Sequence, residues 1–310
     1  MTARVLYAGA PARWDEYRPA LARALEQAGV DCVLGDDLPA DEVDYIVYAP
    51  NGPVSDFTPF TRLKAVLSLW AGVDTVAGNR TLTVPLARMV DHGLTRGMIE
   101  WVTGHTLRHH LGMDRYIHGL GGDWQPAYPP LAEERGVTVL GLGALGRACA
   151  ETLAGLGFRV TGWSRSAKTI PGLTCLHGEE GLAEALASAE ILVLLLPNTP
   201  ETENTLNATT LSQLPEGAVI LNPGRGRLID DEALLGALDS GHVGHATLDT
   251  FRVEPLPRAH RYWSHPRVTV TPHVAAETRL RTSSEVIAEN VRRAEAGEPL
   301  LHLVDRSAGY

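Results

Sequence analysis

Short apolar runs alternate with amphipathic segments over the first hundred residues of the chain. Residues Trp14–Ala28 have the apolar spacing of a helix that buries one face. Apolar runs that are too short for a helix lie at Arg4–Tyr7, Cys32–Leu34, Tyr45–Tyr48 and Ala65–Leu69. Strands that are separated by helical segments predict a parallel sheet covered on both faces.

The same alternation starts again near Glu133 and continues into the last quarter of the chain. Helices are predicted at Ala144–Leu156, Leu182–Ala189 and Asp230–Ser240. Six strands are predicted, at Val137–Leu140, Arg159–Trp163, Ile191–Leu196, Val219–Asn222, Gly244–Asp249 and Val268–Thr271. The pattern of Gly136–Pro272 therefore predicts a complete doubly wound unit of six strands.

Two longer helical patterns lie outside this unit. Leu94–His118 has the length and periodicity of one long helix, and the Gly- and Pro-rich stretch Gly119–Pro130 after it indicates a linker or lid. Thr278–Glu298 predicts a second long helix, which we expect to return to the N-terminal domain. We predict an α/β protein with two domains, residues 1–98 and 276–310 together, and residues 99–275.

Composition and charge exclude several classes of protein. The 310 residues carry a formal net charge of −10, whereas a nucleic-acid surface needs clustered excess Lys and Arg. No apolar run approaches the ~18 residues that cross a bilayer, and the first ten residues lack the pattern of a signal peptide. The three scattered cysteines fit a reducing compartment. We expect a cytoplasmic protein that binds neither nucleic acid nor membrane.

A glycine-rich turn follows the first strand of the second unit and opens a predicted helix. Gly141 permits a tight turn, Gly143 lets the backbone approach a pyrophosphate, and Gly146 allows close packing of helix on strand. The N–H groups at the start of the helix favour an anion. We predict that a dinucleotide binds to this turn, at Gly141, Gly143, Ala144, Leu145 and Gly146. The alternative is a turn that serves packing alone.

The residues after the next strand indicate which dinucleotide binds. An acidic side chain at this point holds the ribose hydroxyls of NAD, but this chain has Ser164, Arg165 and Lys168 there and no carboxylate. The two cations suit the 2′-phosphate of NADP. We predict that NADPH is the preferred cofactor, with NAD as the alternative. The competing interpretation is a solvated basic turn.

Three charged or titratable side chains follow the last strands of the second unit. Arg225, Glu254 and His273 each come just after a predicted strand. Ligands of open α/β sheets bind outside the carboxyl ends of the strands, so all three side chains are expected at one crevice. Each of them alone is weak evidence, and together they predict a catalytic set.

These residues lie in segments that resemble a known family. The matching segments are Lys64–Val66, Ala71–Asp74, Gly141–Gly146, Leu196–Thr202, Arg225–Gly226, Glu254–Pro257, His265–Thr269, Thr271–Ala276, Val304–Arg306 and Gly309–Tyr310. Over nearly its whole length the chain is similar to D-isomer-specific 2-hydroxyacid dehydrogenases, and within them to the glyoxylate/hydroxypyruvate reductase A group.

The resemblance implies an architecture and an activity. Residues 1–98 and 276–310 would form a flavodoxin-like substrate-binding domain, and residues 99–275 a Rossmann dinucleotide-binding domain. The activity would be hydride transfer from NADPH to C2 of a small anionic 2-keto acid, in a homodimer. The alternatives are a dehydrogenase of a bulkier 2-hydroxy acid and a nucleotide-sensing binding protein without catalysis.

The resemblance also implies roles for individual residues. Arg225 would bind the substrate carboxylate and polarise the carbonyl, His273 would donate the proton, and Glu254 would hold the imidazole. The substrate-binding residues would be Trp70, Ala71, Gly72, Arg88 and Trp124, although packing accounts equally well for Trp70. Further cofactor contacts would come from Leu196, Pro197, Asn198, Thr202, Pro223, Gly224, Asp249 and Ala275.

A pair of histidines is spaced for metal binding on the long predicted helix. His105 and His109 are four residues apart, but no Glu follows His105 and no third ligand is evident. We predict no metal site and interpret the pair as helix-surface residues. In the family that the chain resembles, this helix packs across a dimer interface, so contact residues are the other interpretation.

Overall fold

Two fully parallel β-sheets organise the chain. The computed structural model describes residues 2–117 and 119–309. The chain divides into two units. The first unit contains the residues up to Leu94 and those from Glu277 onward, and the second contains Thr95–Ala276. In the described ranges, no helix is both long enough and apolar enough to span a bilayer.

The strands and helices are bounded as follows. The strands are β1 Ala3–Ala8, β2 Cys32–Gly35, β3 Tyr45–Tyr48, β4 Ala65–Ser68, β5 Leu86–Ala87, β6 Gly136–Leu140, β7 Arg159–Ser164, β8 Thr174–His177, β9 Ile191–Leu194, β10 Ala218–Asn222, β11 Val243–Leu248 and β12 Val268–Val270. The helices are α1 Trp14–Gln27, α2 Asp74–Ala77, α3 His92–His110, α4 Asp114–Ile117, α5 Ala144–Gly155, α6 Gly178–Ala187, α7 Ala208–Leu211, α8 Asp231–Ser240 and α9 Leu280–Glu295.

The first unit is a five-stranded parallel sheet in the order β2-β1-β3-β4-β5, which is the flavodoxin-like order. Every residue of β3 and β4 is buried, as expected for central strands covered on both faces. Helix α9 packs against α1, where Ile287 and Val291 share a core with Leu21 and Leu25. The Val304 amide donates to the carbonyl of Leu86 at 2.9 Å, so the C-terminal segment completes this unit.

The second unit is a seven-stranded parallel sheet in the order β12-β11-β10-β9-β6-β7-β8. The strand order reverses between β6 and β9, as in a Rossmann fold, and the predicted fold class is confirmed. The predicted number of six strands is wrong, because β8 pairs with β7 along Thr174–His177. All four residues of β8 are partly or fully exposed. An edge strand of this kind lacks the continuous apolar run that identifies a buried strand.

The prediction of one long helix at Leu94–His118 is wrong. Helix α3 ends at His110 because Gly112 adopts a left-handed conformation with φ 61°. The Gly112 amide donates to the carbonyl of His109, and the Met113 amide donates to that of Arg108. This pair of bonds is a Schellman motif, which satisfies the last carbonyls of a helix. A separate short helix, α4, follows, and His118 lies outside the described residues.

The interpretation of His105 and His109 as a surface pair is also wrong. His109 lies against β11, with Nε2 2.9 Å from Thr247 Oγ1 and its ring 4.8 Å from that of His245. Burial lowers the pKa of His109 to about 3, and the positive charges of neighbouring groups add to this. His105 is partly buried and its ring packs on Trp101. His109 therefore packs inside the second unit, and neither histidine is exposed on the helix surface.

Candidate active site

The glycine turn after β6 contains backbone contacts that are too close for any residue with a Cβ atom. Gly141 has φ 105°, which side chains rarely tolerate. A Cβ at Gly141 would lie 2.4 Å from the carbonyl oxygen of Leu195, and one at Gly146 would lie 1.7 Å from that of Gly141. These two glycines therefore fit the turn and the close approach of α5.

Gly143 differs from the other glycines of the turn. A Cβ there would meet no atom within 4 Å, so this part of the backbone is open to a ligand. Gly143 and Ala144 are exposed, and Gly143 is the residue immediately before α5. The N-terminus of a 12-residue helix next to open backbone suits a pyrophosphate. The turn therefore fits a dinucleotide.

The basic turn after β7 lies beside the glycine turn. Lys168 Nζ donates to the carbonyl of Leu142 at 2.6 Å, so its charge is held at the predicted phosphate site. Ser164 is buried, and its hydroxyl donates to the carbonyl of Ser166. Arg165 is exposed. The pKa of Glu201 is lowered first by a hydrogen bond from Thr199 and also by the charge of Arg165, which places Arg165 near the segment after β9.

Two further connections at the carboxyl end of the sheet hold predicted cofactor residues. In the connection after β9, Thr202 Oγ1 donates to the carbonyl of Pro197 at 2.7 Å and accepts from the amide of Thr199. After β10, the Asn222 side chain accepts from the Gly224 amide and donates to the carbonyl of Arg225. Leu196, Pro223 and Gly224 are buried and Asn198 is partly buried. Sequence reasoning missed the bracing role of Asn222.

His273 and Glu254 form a hydrogen-bonded pair. His273 Nδ1 lies 2.7 Å from Glu254 Oε2, and Glu254 Oε1 accepts from the amide of Phe251 at 2.8 Å. The bond to Glu254 raises the pKa of His273 although partial burial opposes this. Partial burial would raise the pKa of Glu254, but the bonds from His273 and Phe251 outweigh it, and the pKa is lowered.

Arg225 lies within electrostatic range of this pair. Its positive charge is among the groups that lower the pKa of Glu254, and it opposes the rise in the pKa of His273. The side chain is partly buried, and Nη1 donates to the carbonyl of Gly224 at 2.7 Å. The structure thus brings together the three side chains that the sequence placed after three different strands.

Asp249 is tied to the turn that carries His273. Its Oδ1 accepts from the Thr271 hydroxyl at 2.5 Å and from the Val274 amide at 2.9 Å, while Oδ2 accepts from the Ala275 amide at 2.9 Å. This buried carboxylate holds a turn in which His273 has φ 54°, an unusual value for a non-glycine residue. Sequence reasoning assigned Asp249 and Ala275 to the cofactor and missed Thr271, because separation along the chain gives no signal of this contact.

The first unit gathers most of the predicted substrate-binding residues. The Trp70 amide donates to Ser68 Oγ, and the Trp70 carbonyl accepts from the Met89 amide at 3.0 Å. Arg88 therefore lies next to the turn of Trp70, Ala71 and Gly72. Arg88 is partly buried, and burial lowers the pKa of its guanidinium.

Trp124 belongs to the second unit and is 93% exposed. In the described ranges, Trp124 makes no contact with Arg225, Glu254 or His273. In those same ranges, no group of three or more His, Cys, Asp or Glu side chains is placed to hold a metal ion.

Fold and site together define a class of protein. A Rossmann unit with an open glycine turn and a carboxylate-bonded imidazole at the same end of its sheet is typical of NAD(P)-dependent oxidoreductases. The family model described as "D-isomer specific 2-hydroxyacid dehydrogenase, NAD binding domain" matches residues 104–275, which is more than half of the chain. The chain belongs to the D-isomer specific 2-hydroxyacid dehydrogenase family.

Individual relatives agree with this membership. The chain is 38% identical over 305 residues to glyoxylate/hydroxypyruvate reductase A of Serratia proteamaculans, covering 96% of each protein. It is similar, at 39% identity and a TM-score of 0.92 over 100% of both chains, to a D-isomer specific 2-hydroxyacid dehydrogenase of Xanthobacter autotrophicus solved with NADPH and MES. A NADPH-dependent glyoxylate/hydroxypyruvate reductase of Sinorhizobium meliloti, solved with NADP and sulfate, has a TM-score of 0.87 at 36% identity over 100% of both chains.

Proposed function

We propose that this protein reduces small 2-keto acids, such as glyoxylate or hydroxypyruvate, to 2-hydroxy acids with NADPH. The observation that carries the proposal is the 2.7 Å contact between His273 Nδ1 and Glu254 Oε2, within electrostatic range of Arg225. This set lies at the end of the sheet where the glycine turn lies. The names of the relatives support the choice of substrate and cofactor.

The proposed reaction assigns one step to each member of the set. When bound, NADPH supplies the hydride for C2 of the keto acid. His273, protonated and held by Glu254 at Nδ1, gives the Nε2 proton to the carbonyl oxygen, so that the carbonyl becomes a hydroxyl. Arg225 binds the substrate carboxylate and stabilises the negative charge that grows on the carbonyl oxygen.

We assign the remaining predicted residues to binding. Lys168 and Arg165 are proposed to contact the 2′-phosphate of NADPH, since the residues after β7 include no carboxylate that would favour NAD. The turn of Trp70, Ala71 and Gly72, with Arg88 beside it, is proposed to bind the substrate carboxylate. The partly buried guanidinium of Arg88 supports this assignment, because a desolvated cation favours an anionic ligand.

We also propose that the protein acts as a homodimer in the cytoplasm. Trp124 and Tyr128 are 93% and 88% exposed, and Ile117 and Leu131 in the same stretch of chain are also exposed. Large apolar side chains that are exposed together favour association. Size-exclusion chromatography with light scattering should give twice the chain mass. A monomer at micromolar concentration would exclude the dimer.

The function is tested by a panel of keto acids with both cofactors. We expect NADPH oxidation with glyoxylate and hydroxypyruvate, and a higher kcat/KM with NADPH than with NADH. A bulkier 2-keto acid as the best substrate would replace the substrate part of the proposal. NADPH binding without turnover of any keto acid would contradict the proposal and indicate a nucleotide-binding protein without catalysis.

A further inference from the structure

Arg252 lies outside the catalytic set, and its guanidinium is bonded to several neighbouring segments. Its Nε and Nη2 both donate to the carbonyl of Ile229, at 2.9 and 2.6 Å. Nη2 also donates to Asn204 Oδ1, and Nη1 lies 3.3 Å from Glu203 Oε1. The side chain is 26% exposed, and Nε lies 3.9 Å from Asp231 Oδ2. Arg252 therefore uses all three guanidinium nitrogens on protein partners.

Arg252 and these partners belong to three different connections at the carboxyl end of the sheet. Asn204 lies in the connection after β9, which also contains the predicted cofactor residues Asn198 and Thr202. Ile229 lies in the connection after β10, four residues beyond Arg225. Arg252 itself lies in the connection after β11, two residues before Glu254. One side chain thus links the segments that carry the predicted cofactor residues, the guanidinium and the carboxylate.

The connection that carries Glu254 is closely held. The backbone of Phe251 approaches Gly226 so closely that a Cβ on the glycine would lie 1.9 Å from the carbonyl carbon of Phe251. Glu254 accepts from the Phe251 amide through one oxygen and contacts His273 through the other. Arg252 lies between Phe251 and Glu254 in sequence, so its side-chain bonds act on the same short stretch of backbone that carries the carboxylate.

Hydrogen bonds weaken steeply with distance and angle, and residues 250–260 include neither helix nor strand. The position of Glu254 therefore depends on the contacts that its connection makes with the neighbouring ones, and Arg252 supplies side-chain hydrogen bonds among them. We propose that Arg252 is a positioning residue, which keeps Glu254 in bonding geometry with His273 by anchoring the connection after β11 to those after β9 and β10. This inference rests on the proposed function for its effect on catalysis, but not for its effect on His273.

The test measures the ring titration of His273 by NMR in the whole protein, with His273→Asn to assign the signals. Arg252→Gln removes the anchor, and we expect the pKa of His273 to move down toward its ordinary value. Arg252→Lys keeps one charged donor and should restore part of the shift. Arg258→Gln is the control, because Arg258 is exposed in the same stretch of chain and should leave the titration unchanged.

The other groups that act on His273 are unchanged in these variants. They are Glu254 and Asp249, which raise its pKa, and Arg225, which lowers it. A change in the pKa of His273 in Arg252→Gln therefore shows that these groups have moved relative to the imidazole. Catalysis should follow, with kcat reduced by roughly tenfold to a hundredfold, as for a displacement of about 1 Å, and with its alkaline limb at lower pH.

A titration of His273 that is the same in Arg252→Gln as in the wild type would overturn the proposal, even if the melting temperature fell. If Arg252→Gln does not fold, Asn204→Gly decides in its place. This change removes one partner of Arg252 at a position with φ 54°, which glycine adopts readily, and it should move the titration in the same direction. The titration of His273 can be measured without catalytic turnover. An inactive wild type would therefore contradict the proposed function, while the role of Arg252 would still be tested by the titration.

Discussion

The His273 imidazole and the Glu254 carboxylate change each other's affinity for protons across a contact of 2.7 Å. Their side chains are 49% and 35% exposed, so solvent screens the pair and its contribution to stability is small. The effect on the proposed reaction is larger, because the charged imidazole is the form that would donate the proton. A raised pKa of His273 keeps that form present to higher pH.

Glu254→Gln should move the alkaline limb of kcat to lower pH. The hydrogen bond and charge of Glu254 raise the pKa of His273, so the active protonated form is lost only as pH rises through that raised value. Without the carboxylate, the loss begins earlier. The measurement is the pH profile of NADPH oxidation at saturating keto acid. The exposed Glu179→Gln serves as the control, and an unmoved limb would remove Glu254 from this role.

At the scale of single residues, the sequence predicted which side chains form the candidate catalytic set, but not the contacts that hold them in place. Arg225, Glu254 and His273 could be selected because each follows a strand and the carboxyl ends of parallel strands meet. The contacts of Asp249 with Thr271, and of Arg252 with Ile229, join residues more than 20 positions apart. No periodicity records such pairs, so only the folded chain reveals them.

Element boundaries follow local rules where the signals are strong. Helix α8 begins after Asp230, whose carboxylate accepts from the Ala233 amide at 3.0 Å, and ends before Gly241 with φ 84°. Both signals are visible in the sequence. The break after α3 at Gly112 was missed because the apolar periodicity continues past it, and β8 was missed because it is half-exposed. Tertiary pairing, not local propensity, determines such an edge strand.

The glycine turn yields a prediction at the scale of an element. Gly143→Ala adds a methyl group that meets no protein atom, at an ordinary φ of −71°. We expect an unchanged melting temperature and an NADPH affinity reduced by roughly tenfold or more, because the backbone must lie close to the pyrophosphate. Titration calorimetry measures the affinity.

The matched control for this change is Gly155→Ala. Gly155 is at the other end of α5, and a Cβ there also meets no atom within 4 Å. NADPH affinity should be the same as in the wild type. Equal affinities in Gly143→Ala and the wild type would show that the dinucleotide does not lie on this turn.

The whole molecule carries a net negative charge, and its proposed ligands are also anions. With a formal net charge of −10, the overall field opposes NADPH and keto acids, so local cations must supply the attraction. Lys168 beside the glycine turn and Arg225 beside His273 are such cations. The length of the chain and its repeated pattern predicted the division into two units. The return of α9 to the first unit was predicted only from the position of its helical pattern, after the last strand of the second unit.

NADPH should stabilise the folded protein more than NADH does. A ligand at a hundred times its Kd adds about 2.7 kcal/mol, which raises Tm on the order of 5 °C for a unit of this size. NADH at the same concentration should give a smaller rise, since it has no 2′-phosphate for Arg165 and Lys168. Scanning calorimetry measures both, and Arg165→Gln should reduce the difference. An equal or larger rise with NADH would contradict the cofactor assignment.

The most direct test of the whole account is the single-turnover rate of NADPH oxidation by glyoxylate in the wild type and in His273→Asn. Asparagine tolerates φ 54° better than most residues do, so the turn should be retained and NADPH should bind as before. Loss of a positioned proton donor should slow the step by about 10²- to 10⁴-fold. A variant that oxidises NADPH as fast as the wild type would contradict the account.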